Sequence, residues 1–190
     1  MRTPIRVLGG LLVAAACLWP LHDAASLTPL PSESEQVRNA AAGMYRWALA
    51  HPGGGLATKA ERRDLEMFLT PELIAQLDRA EAAAAVYAAQ AVEDEKPRML
   101  EGDLWVDAVE GAHEVALAEP KIDGDRARIE VTVIHIDERY SKAHRNRAIV
   151  WIDGVELQRV GFRWFVSDVR YRSDPARRLS TLLHEFVETE

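Results

Sequence analysis

Proton transfer is the chemistry that the side chains of this sequence serve best, through one histidine and two aspartates. His135 comes in phase after the alternating apolar stretch 127–133. Asp103 and Asp107 lie on either side of Trp105. A histidine beside a carboxylate in an apolar pocket titrates near neutral pH and can move protons. The other interpretation gives His135 a packing role at a strand end and places the aspartates in a turn, and we favour it.

Metal, cofactor and nucleophile chemistry find little support in the sequence. His135 and Asp137 have a ligand-like spacing, but no second cluster of histidines or cysteines accompanies them. The sequence contains no phosphate-binding loop, zinc-protease helix motif, nucleophile elbow or dinucleotide fingerprint. We therefore expect no metal and no cofactor.

The composition limits the class of protein. The chain has 190 residues, of which 48% are hydrophobic, and a formal net charge of −7. These values fit one globular domain. Nucleic-acid binding depends on phosphate neutralisation by Lys and Arg, so an acidic chain predicts no nucleic-acid partner.

The N-terminal residues are typical of an export signal. Two arginines precede an apolar run of about 15 residues, 7–21, which is shorter than the ~20 residues that a membrane-spanning helix needs. A cut before Leu27 would leave small residues at the positions that signal peptidase tolerates. We predict a signal peptide over residues 1–26, a linker over 27–34, no membrane span, and a periplasmic or secreted location in a bacterium.

The only cysteine, Cys17, offers a second interpretation of this segment. Three alanines precede it, as in the box of a lipoprotein signal, although the usual leucine is missing. Acylation of Cys17 would anchor the protein to a membrane as a lipoprotein. The favoured interpretation is that Cys17 is removed with the signal peptide. A single cysteine also excludes an intramolecular disulfide.

Helices are predicted in the first half of the mature chain. Ser32 or Ser34 can cap the first, Thr58 begins a short second one in a capping box, and Thr70 begins a third with Pro71 at its first position. Apolar residues recur on one face of the two longer helices. These residues are Val37, Ala41, Met44 and Ala48 in the first helix, and Leu73, Leu77, Ala80, Ala84, Tyr87 and Ala91 in the third.

Strands are predicted in the second half. An arm turns around Gly124 into the alternating stretch 127–133. Gly154 marks either a tight hairpin or a bulge within one long strand that turns at Gly161. Asp174 caps and Pro175 opens a closing helix. Helices followed by an antiparallel meander and a last helix predict an α+β fold.

Four stretches carry a family resemblance. They are MYRWAL at 44–49, LEMFLTPELIAQL at 65–77, EGDLWVDA at 101–108 and RWFVSDVRY at 163–171. Over residues 35–171 the chain resembles small bacterial envelope proteins of unknown function whose domain is similar to the nuclear-transport-factor-two fold. The resemblance implies one domain over 35–190, in which a curved antiparallel sheet wraps against the helices as a cone.

The mouth of such a cone is a pocket in enzymes of this fold and a core or a binding surface in other members. The residues expected to line it are Met44, Trp47, Tyr87, Trp105, Val133 and Trp164. We expect a non-enzymatic module that binds a small apolar ligand or an envelope protein, and a homodimer is compatible with it. One alternative is a proton-transfer isomerase or hydrolase that uses His135 with Asp103 or Asp107. Another is an immunity or accessory protein that blocks a partner through its acidic surface.

Overall fold

In a computed structural model, the described residues form three helices, then an antiparallel sheet and a last helix. The structure describes residues 30–91, 96, 98–100, 102–106, 111–137, 139, 147–172 and 176–188. Within them the helices are α1 (Glu33–Ala50), α2 (Lys59–Leu65), α3 (Pro71–Gln90) and α4 (Leu179–Glu188). The strands are β1 (Glu114–Leu117), β2 (Lys121–Asp123), β3 (Arg126–Ile136), β4 (Ala148–Val160) and β5 (Arg163–Arg170). The predicted α+β class is therefore confirmed.

Side-chain caps fix the starts of the first three helices, as the sequence predicts. Ser32 and Thr58 each form a capping box, and the Thr70 hydroxyl accepts a hydrogen bond from the N–H of Leu73. The cap of α1 is Ser32 rather than Ser34. Since α1 begins at Glu33, the last two residues of the predicted linker are helical.

The sheet has the order β1-β3-β4-β5, and β2 also pairs with β3. Strands β1 and β2 therefore follow one another along the same edge of β3, so the predicted first arm is split in two. Every second residue of β3 from Ala127 to His135 is buried, which confirms the predicted alternation. This buried side is the inner face of the sheet.

The structure decides between the two predictions for Gly154. Strand β4 runs through it without interruption and turns at Gly161, whose φ of +61° suits glycine. The irregularity lies later, where Glu156 pairs with Asp168 and Leu157 with Val166. Ser167 is thus an extra residue on β5, and a bulge of this kind changes which residues face inward.

The helices cover the inner face of the curved sheet. Helix α1 packs on β5, β4 and β1, while α4 packs on α3 and β5. The predicted apolar stripe of α1 is buried, from Val37 to Ala48. Leu179, Leu183 and Phe186 of α4 are also buried. One continuous core therefore joins the helices to the sheet.

The start of α4 differs from the prediction. Asp174 and Pro175 lie outside the described residues, and the first helical residue is Leu179. The side chain of Asp168 on β5 accepts hydrogen bonds from the Ser180 N–H at 3.0 Å and from its hydroxyl at 2.6 Å. A carboxylate supplied by the sheet therefore stabilises the N-terminus of this helix.

Replacing Asp168 with alanine should lower the free energy of unfolding by about 2 kcal/mol, because the first turn of α4 loses its acceptor. Urea denaturation followed by circular dichroism measures the change. Asp64→Ala is the matched control, since Asp64 is exposed on α2. Equal stability losses in the two variants would contradict this role for Asp168.

Candidate functional site

Two tyrosines and two aspartates form a polar cluster in the interior. Tyr45 comes from α1, Asp153 from β4, Tyr171 follows β5, and Asp103 belongs to the segment 102–106. Tyr45, Asp153 and Tyr171 are buried, and Asp103 is partly exposed. Burial raises the pKa of Tyr45 well above 10, and the charge of Asp153 and the groups of Tyr171 and Asp103 add to the effect.

Most of the polar cluster is paired by hydrogen bonds. Asp153 accepts one from the indole N–H of Trp151 at 3.1 Å and one from the backbone N–H of Arg172 at 3.1 Å. The Tyr171 hydroxyl donates to the carbonyl of Leu104 at 2.9 Å. These bonds compensate for taking a carboxylate and a phenol out of water.

Two side-chain donors on α1 are buried without a hydrogen-bond partner among the described residues. The hydroxyl of Tyr45 and the indole N–H of Trp47 are shielded from solvent, and neither has a hydrogen-bond partner within the described part of the chain. A buried polar group left unpaired costs about 1–3 kcal/mol. Both donors would be stabilised by an acceptor that the described residues do not supply.

The segment 102–106 packs on Trp47 through Trp105 and accepts a hydrogen bond from Tyr171, whose phenol group acts on Tyr45. Its Gly102 carbonyl accepts a hydrogen bond from the Gly55 N–H at 2.9 Å. The ring of Trp105 packs edge-to-face on Trp47 with centroids 5.8 Å apart. We call residues 102–106 the covering segment.

The carboxyl of Asp103 holds the covering segment in a turn. It accepts the Trp105 N–H at 2.9 Å. Burial raises its pKa to about 6, against the opposing effect of hydrogen bonds from the N–H groups of Trp105 and Val106. Asp137 behaves in the opposite way, because hydrogen bonds from Arg139 lower its pKa to about 2.

His135 lies on the inner face near the end of β3 and is buried. Its Nδ1 donates to the carbonyl of Gly111 at 3.0 Å, so the neutral ring carries its proton on Nδ1. The ring of His113 meets it edge-to-face, with centroids 5.0 Å apart. Nδ1 of His113 in turn accepts the Ile136 N–H at 3.1 Å.

The turn at Gly111 connects the two predicted proton-transfer residues. A Cβ built at Gly111 would lie 3.5 Å from Oδ2 of Asp103, and its carbonyl is bonded to His135. The structure therefore places Asp103 and His135 against the same backbone turn. Asp107, the alternative carboxylate, lies outside the described residues.

The residues expected to line a pocket are divided between three regions. Met44, Trp47, Trp105 and Val133 lie in or against the core that α1, the covering segment and β3 form. Tyr87 packs on Phe186 of α4, with ring centroids 5.4 Å apart, and donates to its carbonyl at 3.0 Å. Trp164 lies under the guanidinium of Arg159, beside the turn between β4 and β5.

Sequence reasoning missed three members of the polar cluster. Tyr45 and Tyr171 lie in two of the stretches that carry the family resemblance, but the sequence gives neither hydroxyl a role. Asp153 had a signal, since it follows Trp151 in phase on the inner face of β4. A carboxylate at an inward strand position needs buried partners, which is a recognisable pattern.

Comparisons with protein-family models, with curated proteins and with solved structures found no match. The resemblance to exported proteins of the nuclear-transport-factor-two type therefore stays a prediction. Within the described ranges, no three His, Cys, Asp or Glu side chains come together as a group that could hold a metal ion. No helix in the same ranges has the length and hydrophobicity that crossing a membrane requires. Cys17 lies outside them.

The raised pKa of Asp103 predicts a pH-dependent stability. The folded state binds this proton more tightly than the unfolded chain, so the free energy of unfolding should fall as pH rises from about 4 to about 6 and then level off. With allowance for the partial exposure of the carboxyl, the fall is about 2 kcal/mol.

Asp103→Asn should remove this fall, as measured by urea denaturation at several pH values. Asp137→Asn is the control, because its lowered pKa makes stability rise with pH, mainly below pH 5, which is the opposite sign to the effect of Asp103. A slope that persists in Asp103→Asn would show that another group titrates.

Proposed function

We propose that the domain is a non-enzymatic binding module that takes a small, largely apolar ligand carrying one hydrogen-bond acceptor. The observation that carries the proposal is the pair of buried donors, Tyr45 Oη and Trp47 Nε1, which have no partner among the described residues. A carbonyl or ether oxygen on a ligand would pair with either donor and remove the cost of leaving it unpaired.

The surroundings of the donors favour a neutral ligand. Trp47 and Trp105 supply aromatic surface, and Met44 is fully buried beside them on α1. Asp103 is negatively charged above pH 6 and would repel an acid. At the end of the inner face, Ile149 pairs with His135 in the sheet and leaves 52% of its surface exposed, which supplies apolar surface at an approach to the interior.

Access to the donors requires the covering segment to move. Among the described residues, two hydrogen bonds join it to the rest of the fold, from Gly55 to Gly102 and from Tyr171 to Leu104. Each hydrogen bond contributes about 1 kcal/mol, and exposing the buried side chains of Leu104, Trp105 and Val106 costs about 1.5–3 kcal/mol apiece, so opening is favourable only when the apolar surface of a ligand replaces part of that burial. This combination suits a pocket that opens to admit a ligand and closes over it.

Nile red, a neutral apolar dye with a carbonyl acceptor, tests the site. We expect its fluorescence to rise on binding and Tyr45→Phe to weaken its affinity roughly tenfold, the value of one hydrogen bond. The folding stability of Tyr45→Phe should be equal to or higher than that of the parent, since the lost hydroxyl has no described partner.

Tyr87→Phe is the matched control for this experiment. It removes a hydroxyl bonded to Phe186 outside the polar cluster, so it should lower stability by about 1 kcal/mol and leave dye affinity unchanged. If both variants bind the dye as the parent does, the proposed site is wrong.

A second candidate function is proton transfer, the enzyme alternative of the sequence. Its support is the carboxyl of Asp103 with a pKa of about 6 beside the turn that also binds His135. A carboxylate tuned toward neutral pH can take a proton from a carbon next to a carbonyl, and an imidazole can polarise the oxygen.

Deuterium exchange at the carbon beside the carbonyl of a small unsaturated ketone separates the two functions. The binding module predicts exchange at the rate of buffer alone, measured by proton NMR in D₂O. Exchange above that rate, lost in Asp103→Asn and in His135→Ala but retained in Asp137→Asn, would establish the enzyme instead.

The location and the macromolecular partners are also proposals. The arginines and the apolar run of residues 1–26 support export to a bacterial envelope, as periplasmic or secreted protein. A tight complex with an envelope protein that is weakened by charge reversal on the acidic surface would favour the immunity or accessory alternative over the ligand-binding module.

A further inference from the structure

Basic side chains collect on the side of the sheet opposite its inner face, which we call the outer face. Arg126 and Arg128 alternate with the buried residues of β3, so both point to the outer face. Lys121 of β2 lies directly opposite Arg128 in the sheet, and Asp123 lies opposite Arg126. All four residues are exposed. Three cations and one carboxylate therefore occupy adjacent positions on two paired strands.

The three cations are little used within the domain. In the part of the chain that the structure describes, no hydrogen bond involves the side chains of Lys121, Arg126 or Arg128. Lys121 lies 3.8 Å from Oε1 of Glu130, and Arg128 lies 3.5 Å from Oε1 of Glu156, which are ion-pair distances. Arg126 has neither kind of contact among the same residues. The N–H donors of these side chains therefore remain available to a ligand.

A groove of about 580 Å³ runs from these cations to the start of α4, and we call it the outer groove. Four basic and three acidic side chains line it. Two of the acids are bonded on the α4 side, because Glu156 accepts from Arg178 at 2.7 Å and Asp168 accepts from Ser180 at 2.6 Å. The end that β2 and β3 form therefore keeps an excess of positive charge.

Neutral polar groups line the remainder of the outer groove. Ser167 is the extra residue of the bulge in β5, and its position on the groove places a hydroxyl there. The amide of Gln158 on β4 lies between this bulge and the cations. Bulges are common beside binding sites, since they redirect a side chain. These two groups offer donors and acceptors to the uncharged part of a ligand.

The spacing of the cations suits a phosphate group better than a single carboxylate. Two residues of a strand rise about 7 Å, so the Cα atoms of Arg126 and Arg128 lie roughly that far apart. The side chains of Lys121 and Arg128 begin about 5 Å apart, as in other directly opposed pairs. One guanidinium fork satisfies both oxygens of a carboxylate, whereas a phosphate group has three terminal oxygens and up to two charges. Only the phosphate can therefore use all three cations.

We propose that the outer groove binds a water-soluble phosphate compound, with its phosphate held by Lys121, Arg126 and Arg128. The uncharged remainder of the compound extends toward Gln158 and Ser167. The net charge of −7 repels anions at long range, so recognition depends on these local contacts. Because Tyr45 and Trp47 belong to α1 on the inner face, this proposal is independent of the proposed apolar-ligand site.

Isothermal titration calorimetry of the protein with inorganic pyrophosphate tests the outer groove. We expect binding at one site, and Arg126→Gln should weaken the affinity roughly tenfold, the value of one charge-assisted hydrogen bond. The folding stability of Arg126→Gln should equal that of the parent, since this side chain has no described contact to lose. Arg79→Gln is the matched control, because Arg79 is exposed on α3 and its replacement changes the net charge equally.

Three results would overturn the proposal. The first is absence of pyrophosphate binding, or equal affinity in Arg126→Gln and Arg79→Gln, which would leave only a general effect of charge. The second is binding to vesicles of phosphatidylcholine and phosphatidylglycerol that Arg126→Gln weakens while pyrophosphate gives no response, which would identify a lipid head group. The third is tighter binding of hexaglutamate than of pyrophosphate, which would identify an acidic polypeptide as the ligand.

Discussion

Burial of the Asp153 carboxylate on the largely apolar inner face of the sheet is the constraint on which the interior depends. A carboxylate taken out of water is tolerated only when donors replace its hydration. The indole N–H of Trp151 and the backbone N–H of Arg172 do so, and the second bond joins the first half of β4 to the residues that follow β5. Tyr171, next in line, reaches the covering segment through Leu104. The hydrogen bonds that stabilise the Asp153 carboxylate therefore also help to position the covering segment.

Asp103 and Asp137 look alike in the sequence, but the structure shifts their pKa values in opposite directions. The pKa of Asp103 is raised to about 6 because burial outweighs the effect of hydrogen bonds from two backbone N–H groups. Asp137 is lowered to about 2 because a guanidinium two residues away binds both of its oxygens. Neutral N–H donors offset desolvation only in part, whereas a charged fork more than offsets it. Desolvation is therefore the dominant effect on the pKa of Asp103, and the bonds from a charged guanidinium are the dominant effect on the pKa of Asp137.

The sequence predicts what short-range patterns determine. The caps at Ser32, Thr58 and Thr70 and the alternation along β3 depend on residues within a few positions of one another, and the structure confirms them. The predicted start of α4 was wrong because the carboxylate that caps this helix, Asp168, belongs to strand β5. Asp168 follows a bulge in β5, and neither the bulge nor the contact with α4 is visible in a short-range pattern. The unpaired donors could not be foreseen either. A tyrosine in a helical stripe has the same pattern whether or not its hydroxyl has a partner.

The structural role of Asp103 favours binding over catalysis, because it conflicts with a role as general base. Its carboxylate accepts the N–H groups that hold the covering segment in its turn. As a general base it would become neutral during every reaction and weaken those bonds, because a charged acceptor binds an N–H more strongly than a neutral one. Proton transfer requires that water be excluded from the site, yet protonation of Asp103 would loosen the covering segment that excludes the water. In a binding module no such conflict arises, since the carboxylate keeps its charge above pH 6 and the segment closes by the same bonds with or without a ligand.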